Sequence, residues 1–300
     1  MSAVAAAESG AARARQRSRS PGAPWRTRAR LRLIANALVT LVVCVAALFP
    51  ILWGLSTSLK PANRILEYPP ALVPQTPTLE HYVQLFTTGI QKYLWNSAIV
   101  SAFTVGVCVL LAALAAYALA RFEFRGKGFV LFLIIAVMSI PLPSLIVPTF
   151  TFLALIGLNN TLTGLVLLYT AYQLPLAVWV LYGYMRTIPT EYENAAMVDG
   201  YSRLQALRKV VLPLSAPGLI AAGLFTLTFA WNDFVVAVAM NSSDDVRTLP
   251  VAIYNYLGFF GREWGPLTAA AMVSIVPVIV VFVAFQKYFL SGMTGGGVKG

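Results

Sequence analysis

One carboxylate stands inside an apolar run: Asp233, in the stretch Trp231-Asn232-Asp233-Phe234. A charge near mid-membrane costs on the order of 3 kcal/mol on insertion scales, so a carboxylate placed there must face a helix bundle or a wet cavity. Beside it, Asn232 offers donors and an acceptor that suit hydroxyl-rich ligands. The pair could line a polar path; it could equally be a structural hydrogen bond between helices near the outer interface. Little else in the chain could do chemistry. The single histidine, His81, falls in a connection and reads as a surface residue. Cys44 and Cys108 both lie in apolar runs and read as small buried side chains, with no pair to build a disulfide framework. No metal-ligand spacing or His/Asp/Glu cluster is visible, so no metal is expected. No G-x-x-x-x-G-K-[ST] loop occurs, and the glycines at 295–297 lack the strand and helix that a phosphate loop needs. No cofactor is expected on this chain, and no enzymatic activity of its own.

The second pattern is a spacing. In the polar segment 186–214, Thr190 followed by Glu193 reads as a capping box, and so does Ser202 followed by Gln205. Gly200 between them suits the left-handed residue that ends a helix. Pro213 opens the next apolar run. These signals predict two short helices joined by a tight turn. Leu204, Leu207 and Val211 share one face of the second helix; Tyr192, Ala195 and Ala196 share one of the first. Such a knob must be covered, by a partner or by the chain's own neighbouring helices, and its composition leaves both open.

The elements that carry these residues belong to a bilayer. Of 300 residues, 58% are hydrophobic and only 11% charged, against about 25% charged in soluble domains. Six segments come close to or exceed the ~20 apolar residues that a spanning helix requires: 33–56, 95–119, 128–150, 163–185, 215–239 and 267–289. Trp53, Tyr93, Trp95, Tyr184, Trp264 and Tyr288 lie near their ends, where amphipathic rings sit at the headgroups. Pro50, Pro141, Pro143, Pro148, Pro175 and Pro277 lie within them and predict bends. Eight of the 22 basic residues lie between Arg13 and Arg32, ahead of the first span. With the N-terminus inside, seventeen Lys and Arg face the cytoplasm and five the exterior; without the tail the ratio is still nine to five. Both termini are therefore expected in the cytoplasm, with the chain in the plasma (inner) membrane. Residues 1–31 are expected to be a disordered basic tail, 32–291 the membrane domain and 292–300 a Gly-rich cytoplasmic tail. The first span is too long for a secretory signal core of about 7–15 residues. No aromatic-rich or folded module accompanies the Arg-rich tail, so nucleic acid is not an expected partner.

The run Asn194-Ala195-Ala196, then Asp199-Gly200, then Val210-x-Leu212-Pro213 resembles the EAA loop of binding-protein-dependent ABC importer permeases, with matching spacing. One position departs: the family's leading Glu is Asn194 here, with Glu193 next to it. The likeness extends from about residue 33 to 300. It includes Phe49-Pro50 through Lys60-Pro61, Asn96-Ser97, Ala115 to Phe122, Gly157 to Thr161, Trp231 to Phe234, Thr248 to Val251 and the ending Gln286 to Gly300. On these residues the chain is similar to the sugar-uptake branch, of the second maltose-permease type. The resemblance implies an all-α membrane protein with six transmembrane helices and a cytoplasmic two-helix coupling loop at 190–212. It implies a carbohydrate permease working with a dimer of ATP-binding cassette ATPases, which hold ATP and Mg. It further implies a second permease subunit and an extracytoplasmic sugar-binding protein. Glu193, Asn194, Ala195, Ala196, Asp199 and Gly200 would form the contact with the ATPase, and Asn232 and Asp233 a possible sugar path. An ion-coupled secondary transporter is the competing reading, which several ionisable groups near mid-membrane would favour.

Overall fold

The computed structural model describes the backbone of residues 24–257 and 263–295, and the side chains of 32–257 and 263–287. The chain divides into two units, Met1–Trp53 and Gly54–Gly300. The first unit contains most of α1, Pro24–Ser58, whose segment Arg32–Ser58 is long and apolar enough to cross a membrane. The expected boundary of the tail at residue 31 thus falls inside a helix that begins at Pro24; residues 1–23, and with them most of the expected disorder, lie outside the described residues. Cys44 is exposed, against the expectation of burial.

The second unit is helical, with no strand among the described residues. It comprises α2 (Glu80–Thr87), α3 (Ile90–Arg121), α4 (Lys127–Met138), α5 (Leu142–Leu155), α6 (Leu162–Met185) and α7 (Glu191–Val198). Then follow α8 (Arg203–Ala206), a π-helical turn (Leu207–Val211), α9 (Leu212–Leu214), α10 (Ala216–Asn232), α11 (Val235–Met240), α12 (Leu249–Tyr254) and α13 (Trp264–Gly295). By length and composition α1, α3, α6 and α13 can each cross a membrane, and two bent helix pairs raise the number to six where each pair counts as one span.

The segment 128–150, expected as one helix, is broken. Its halves α4 and α5 meet at 99°. Pro141 is the cause: it has no N–H to donate and forces its predecessor out of the helical region, and it is itself extended at φ −63° and ψ 125°. Serines repair the break. Ser139 Oγ donates to the Ile135 carbonyl at 3.2 Å and Ser144 Oγ to the Pro141 carbonyl at 2.7 Å, as backbone groups freed inside lipid must be satisfied locally. Pro148, Pro175 and Pro277 instead lie inside helices that continue past them. The expected span 215–239 is also interrupted, at Asp233 and Phe234.

At the centre, α3, α6 and α10 pack through small residues. Cys108, Ala112, Ala113 and Ala116 of α3 meet Ala177, Val178 and Leu181 of α6 and Ala222 of α10. In lipid, helices associate by close packing rather than by expulsion of water, which is why small residues line this seam. Gly218 shows how close the approach is: a Cβ there would lie 2.8 Å from the Tyr184 ring. Trp231 Nε1 donates to the Ser274 carbonyl at 3.1 Å and ties α10 to α13.

His81 corrects the sequence reading. It lies on α2 and is only 3% exposed. Its Nε2 is 2.9 Å from the Lys60 carbonyl, so this nitrogen carries the proton and donates it. Gly265 makes room for the ring, since a Cβ there would collide with it.

Candidate functional site

The segment 186–214 folds as two short helices. α7 ends in a full Schellman turn: Gly200 has φ +91°, its N–H donates to the Met197 carbonyl at 3.1 Å, and Tyr201 N–H donates to the Ala196 carbonyl at 3.0 Å. Ser202 caps α8 in the expected reciprocal box with Gln205. The other expected box does not form. Thr190 has helical angles and no capping side-chain bond, the Glu193 N–H donating to its carbonyl instead at 3.1 Å, and the Glu193 carboxylate is held elsewhere.

It is held by α3. Arg121, the last residue of that helix, pairs through Nε with Glu193 Oε1, and both side chains are 5% exposed. The rest of the guanidinium donates to the carbonyls of Met185 and Ile188, each at 3.1 Å, at and just beyond the end of α6. Tyr117, one turn earlier on α3, donates its hydroxyl to Glu193 Oε2 at 3.1 Å. Each guanidinium nitrogen and each carboxylate oxygen thus has a hydrogen-bond partner, the kind of arrangement in which a buried ion pair is tolerated. Arg203 stacks over the Phe122 ring at 5.1 Å and adds a second link to the end of α3. Sequence reasoning missed both Arg121 and Tyr117. The one available signal is that Arg121 closes a span whose same face carries Tyr117 four residues before.

The expected faces are rotated. On α7, Glu193 and Ala196 turn inward while Tyr192, Asn194 and Ala195 are exposed. On the second helix Ala206, Leu207 and Val211 are buried and Leu204 is 70% exposed. The π-helical turn at Leu207–Val211, wider than an α-turn, sets the buried stripe and leaves Leu204 in the turn before it. Exposed Tyr192, Val198, Tyr201 and Leu204 therefore give the knob an apolar outer surface, with Asp199 and Gly200 also exposed. Beyond the π-turn, the 203–214 segment meets α10 at 75°.

Asp233 and Asn232 do not form one group. Asp233 Oδ2 accepts from the Tyr169 hydroxyl at 2.8 Å, from Val236 N at 3.1 Å and from Ala237 N at 3.0 Å. It thus joins α6 to the break and satisfies the first N–H groups of α11. Exposed Asn232 donates to the Thr228 carbonyl on its own helix at 2.8 Å. Beyond the short α11, at the end of the bundle away from the knob, Lys92 Nζ pairs with Asp244 at 2.9 Å and Asp245 at 2.7 Å, and the Tyr93 hydroxyl donates to Asp244 at 2.6 Å. These donors hold the Asp244 carboxyl below its ordinary range. Asn96 Nδ2 donates to the carbonyls of Asp245 and Arg247, so the 241–248 connection is fastened to the start of α3.

Comparison with known proteins places this architecture. Residues 108–295 match the family described as the binding-protein-dependent transport system inner membrane component. The sulfoquinovosyl glycerol transport system permease protein SmoH of Agrobacterium fabrum is 41% identical over 90% of this chain and 94% of its own. The trehalose transport system permease protein SugB of Mycobacterium tuberculosis is 38% identical over 88% of this chain and 97% of its own. The trehalose/maltose transport system permease protein MalG of Thermococcus litoralis is 35% identical over 90% and 97%. Among solved structures, a chain of a bacterial ABC transporter involved in the import of the acidic polysaccharide alginate has the same fold. Its TM-score is 0.76 at 22% identity, over 87% of this chain and 97% of that one. The all-helical spans, the capped knob at 186–214 and these likenesses lead to one conclusion: the chain belongs to the binding-protein-dependent transport system inner membrane component family, as an integral membrane permease.

Proposed function

We propose that this chain is half of the translocation pore of an ATP-driven carbohydrate importer. Its knob, residues 190–212, docks in a cleft of a separate ATP-binding cassette subunit, which binds ATP and Mg and does the hydrolysis. Closure of two such subunits pulls the knob, and the spans rock between inward-open and outward-open states. A second permease chain completes the pore, and an extracytoplasmic binding protein delivers the sugar. Both termini and the knob lie in the cytoplasm, the side favoured by the excess of Lys and Arg.

The observation that carries this reading is the knob itself. A two-helix projection with Tyr192, Val198 and Leu204 exposed at 57%, 87% and 70% presents an apolar surface of the kind that marks a protein contact. Asn194, Ala195, Asp199 and Gly200 lie on the same exposed segment and form the docking contact. Ala196 and Glu193 act from beneath it. The names of the relatives, which include permeases for sulfoquinovosyl glycerol, trehalose and maltose, support a carbohydrate cargo. Tying up Asp233 with Tyr169 and two backbone N–H groups favours a structural role for it, leaving Asn232 the freer of the two to meet a hydroxyl-rich ligand. Replacing Gly200 by Val tests the docking assignment. Loss of ATPase co-purification and of uptake with normal membrane insertion is expected; normal uptake would remove the assignment.

A further inference from the structure

The knob is joined to the membrane helices at three places, and they differ in kind. Backbone continuity links it to α6 through 186–190, and to α10 through a 75° bend after the π-helical turn. To α3 it has no continuity, because 72 residues separate Arg121 from Glu193. There the polar link is the Arg121 guanidinium, with Tyr117 beside it. The same guanidinium holds the carbonyls of Met185 and Ile188, so one side chain fastens the ends of α3 and α6 to α7 together. Both charges are buried, where water cannot replace a lost partner. Glu193 is also the residue beside the position where the resemblance places the docking Glu, and it faces away from the exposed surface.

We infer that Arg121 is a positioning residue that makes α7 and the cytoplasmic ends of α3 and α6 a single mechanical body. The inference rests on the coupling role given above: force applied at the exposed face of α7 reaches α3 and α6 through this pair, beside the apolar packing of Leu207 and Val211 in the seam of α3, α6 and α10. A planar guanidinium is required. A lysine could meet Glu193 but lacks the fork that reaches two carbonyls at once.

The test places spin labels at exposed positions 125, in the turn between α3 and α4, and 191, at the start of α7, with Cys44→Ser to remove the exposed native thiol. In the isolated full-length chain the label separation should form one population. Glu193→Gln should add a second, longer-distance population, shifting the ratio about tenfold, within the usual span of coupling between linked sites. Arg121→Lys, which keeps the charge but loses the fork to the Met185 and Ile188 carbonyls, should also add that second population. In the complex with the ATPase, ATP should leave the wild-type separation unchanged and should enlarge the second population in Glu193→Gln. A single unchanged population in both variants would overturn the inference, as would a wild-type separation that moves with ATP. If wild type shows the single population but captures no ATPase, the clasp stands and the coupling reading is what fails.

Discussion

At the residue scale the decisive side chain is Glu193. Breaking a buried ion pair by removing one partner leaves the other charge uncompensated, which costs about 3–5 kcal/mol. Glu193→Ala is therefore expected to lower the thermal midpoint of the detergent-solubilised chain substantially, and Arg121→Ala to do the same. The double variant should lose less than the sum of the two, because the second substitution removes the orphan the first created. Additive losses would mean that the two side chains do not act together. Asp244 makes a different prediction, governed by pH. Its carboxyl is held below the ordinary value by Tyr93 and Lys92. Stabilisation from a depressed carboxyl is complete above the unfolded value of about 3.9 and is lost as pH falls through the folded one. Protease protection of the 241–248 connection should thus be flat from neutral pH to about pH 5 and decline only in stronger acid. Asp244→Asn should remove that acid step, and a loss of protection centred near neutrality would contradict the assignment.

At the scale of elements, two glycines make the sharpest claims. Gly200 has φ +91° and open space where a Cβ would stand, so a side chain there meets strain rather than a clash. For an L-residue this conformation costs roughly 1–2 kcal/mol, and Asn tolerates it better than Val. Uptake in Gly200→Asn should accordingly exceed that in Gly200→Val; equal loss would point to the side chain's bulk in a docked interface instead. Gly265 is the reverse case. An added Cβ would run into the His81 ring, and overpacking of that kind costs about 1–3 kcal/mol. Gly265→Ala should lower the thermal midpoint, and His81→Ala in the same chain should recover part of the loss. The sequence carried the spans, the Gly200 turn and the Ser202 cap, because each depends on local periodicity or a residue's own backbone preference. It did not carry the clasp, since Arg121 and Glu193 meet across 72 positions. The Thr190 box failed in part for the same reason: Thr190 is itself helical, and a distant guanidinium takes the Glu193 carboxylate. The sharp break at Ser139–Pro141 was readable only as a bend, because a proline marks where a helix weakens but not how far its halves diverge. The burial of His81 was not legible, because a lone histidine in a polar connection gives no sign of the helix that buries it.

At the scale of the whole molecule the family assignment rests on agreement between a continuous sequence likeness and a shared fold. SmoH covers 90% of this chain at 41% identity, and the alginate transporter chain shares the fold at a TM-score of 0.76. What distinguishes the proposed mechanism from ion-coupled transport is where energy enters. The described membrane segments contain one half-buried carboxylate, Asp233, already engaged by three donors, whereas the knob offers an apolar surface to another protein. Reconstitution into proteoliposomes with the companion permease, the ATPase and the binding protein tests this most directly, with uptake of a panel of labelled sugars followed while ATP and ion gradients are varied separately. The account predicts uptake that requires internal ATP and persists when ionophores collapse every gradient. Uptake driven by an imposed ion gradient without ATP would contradict it.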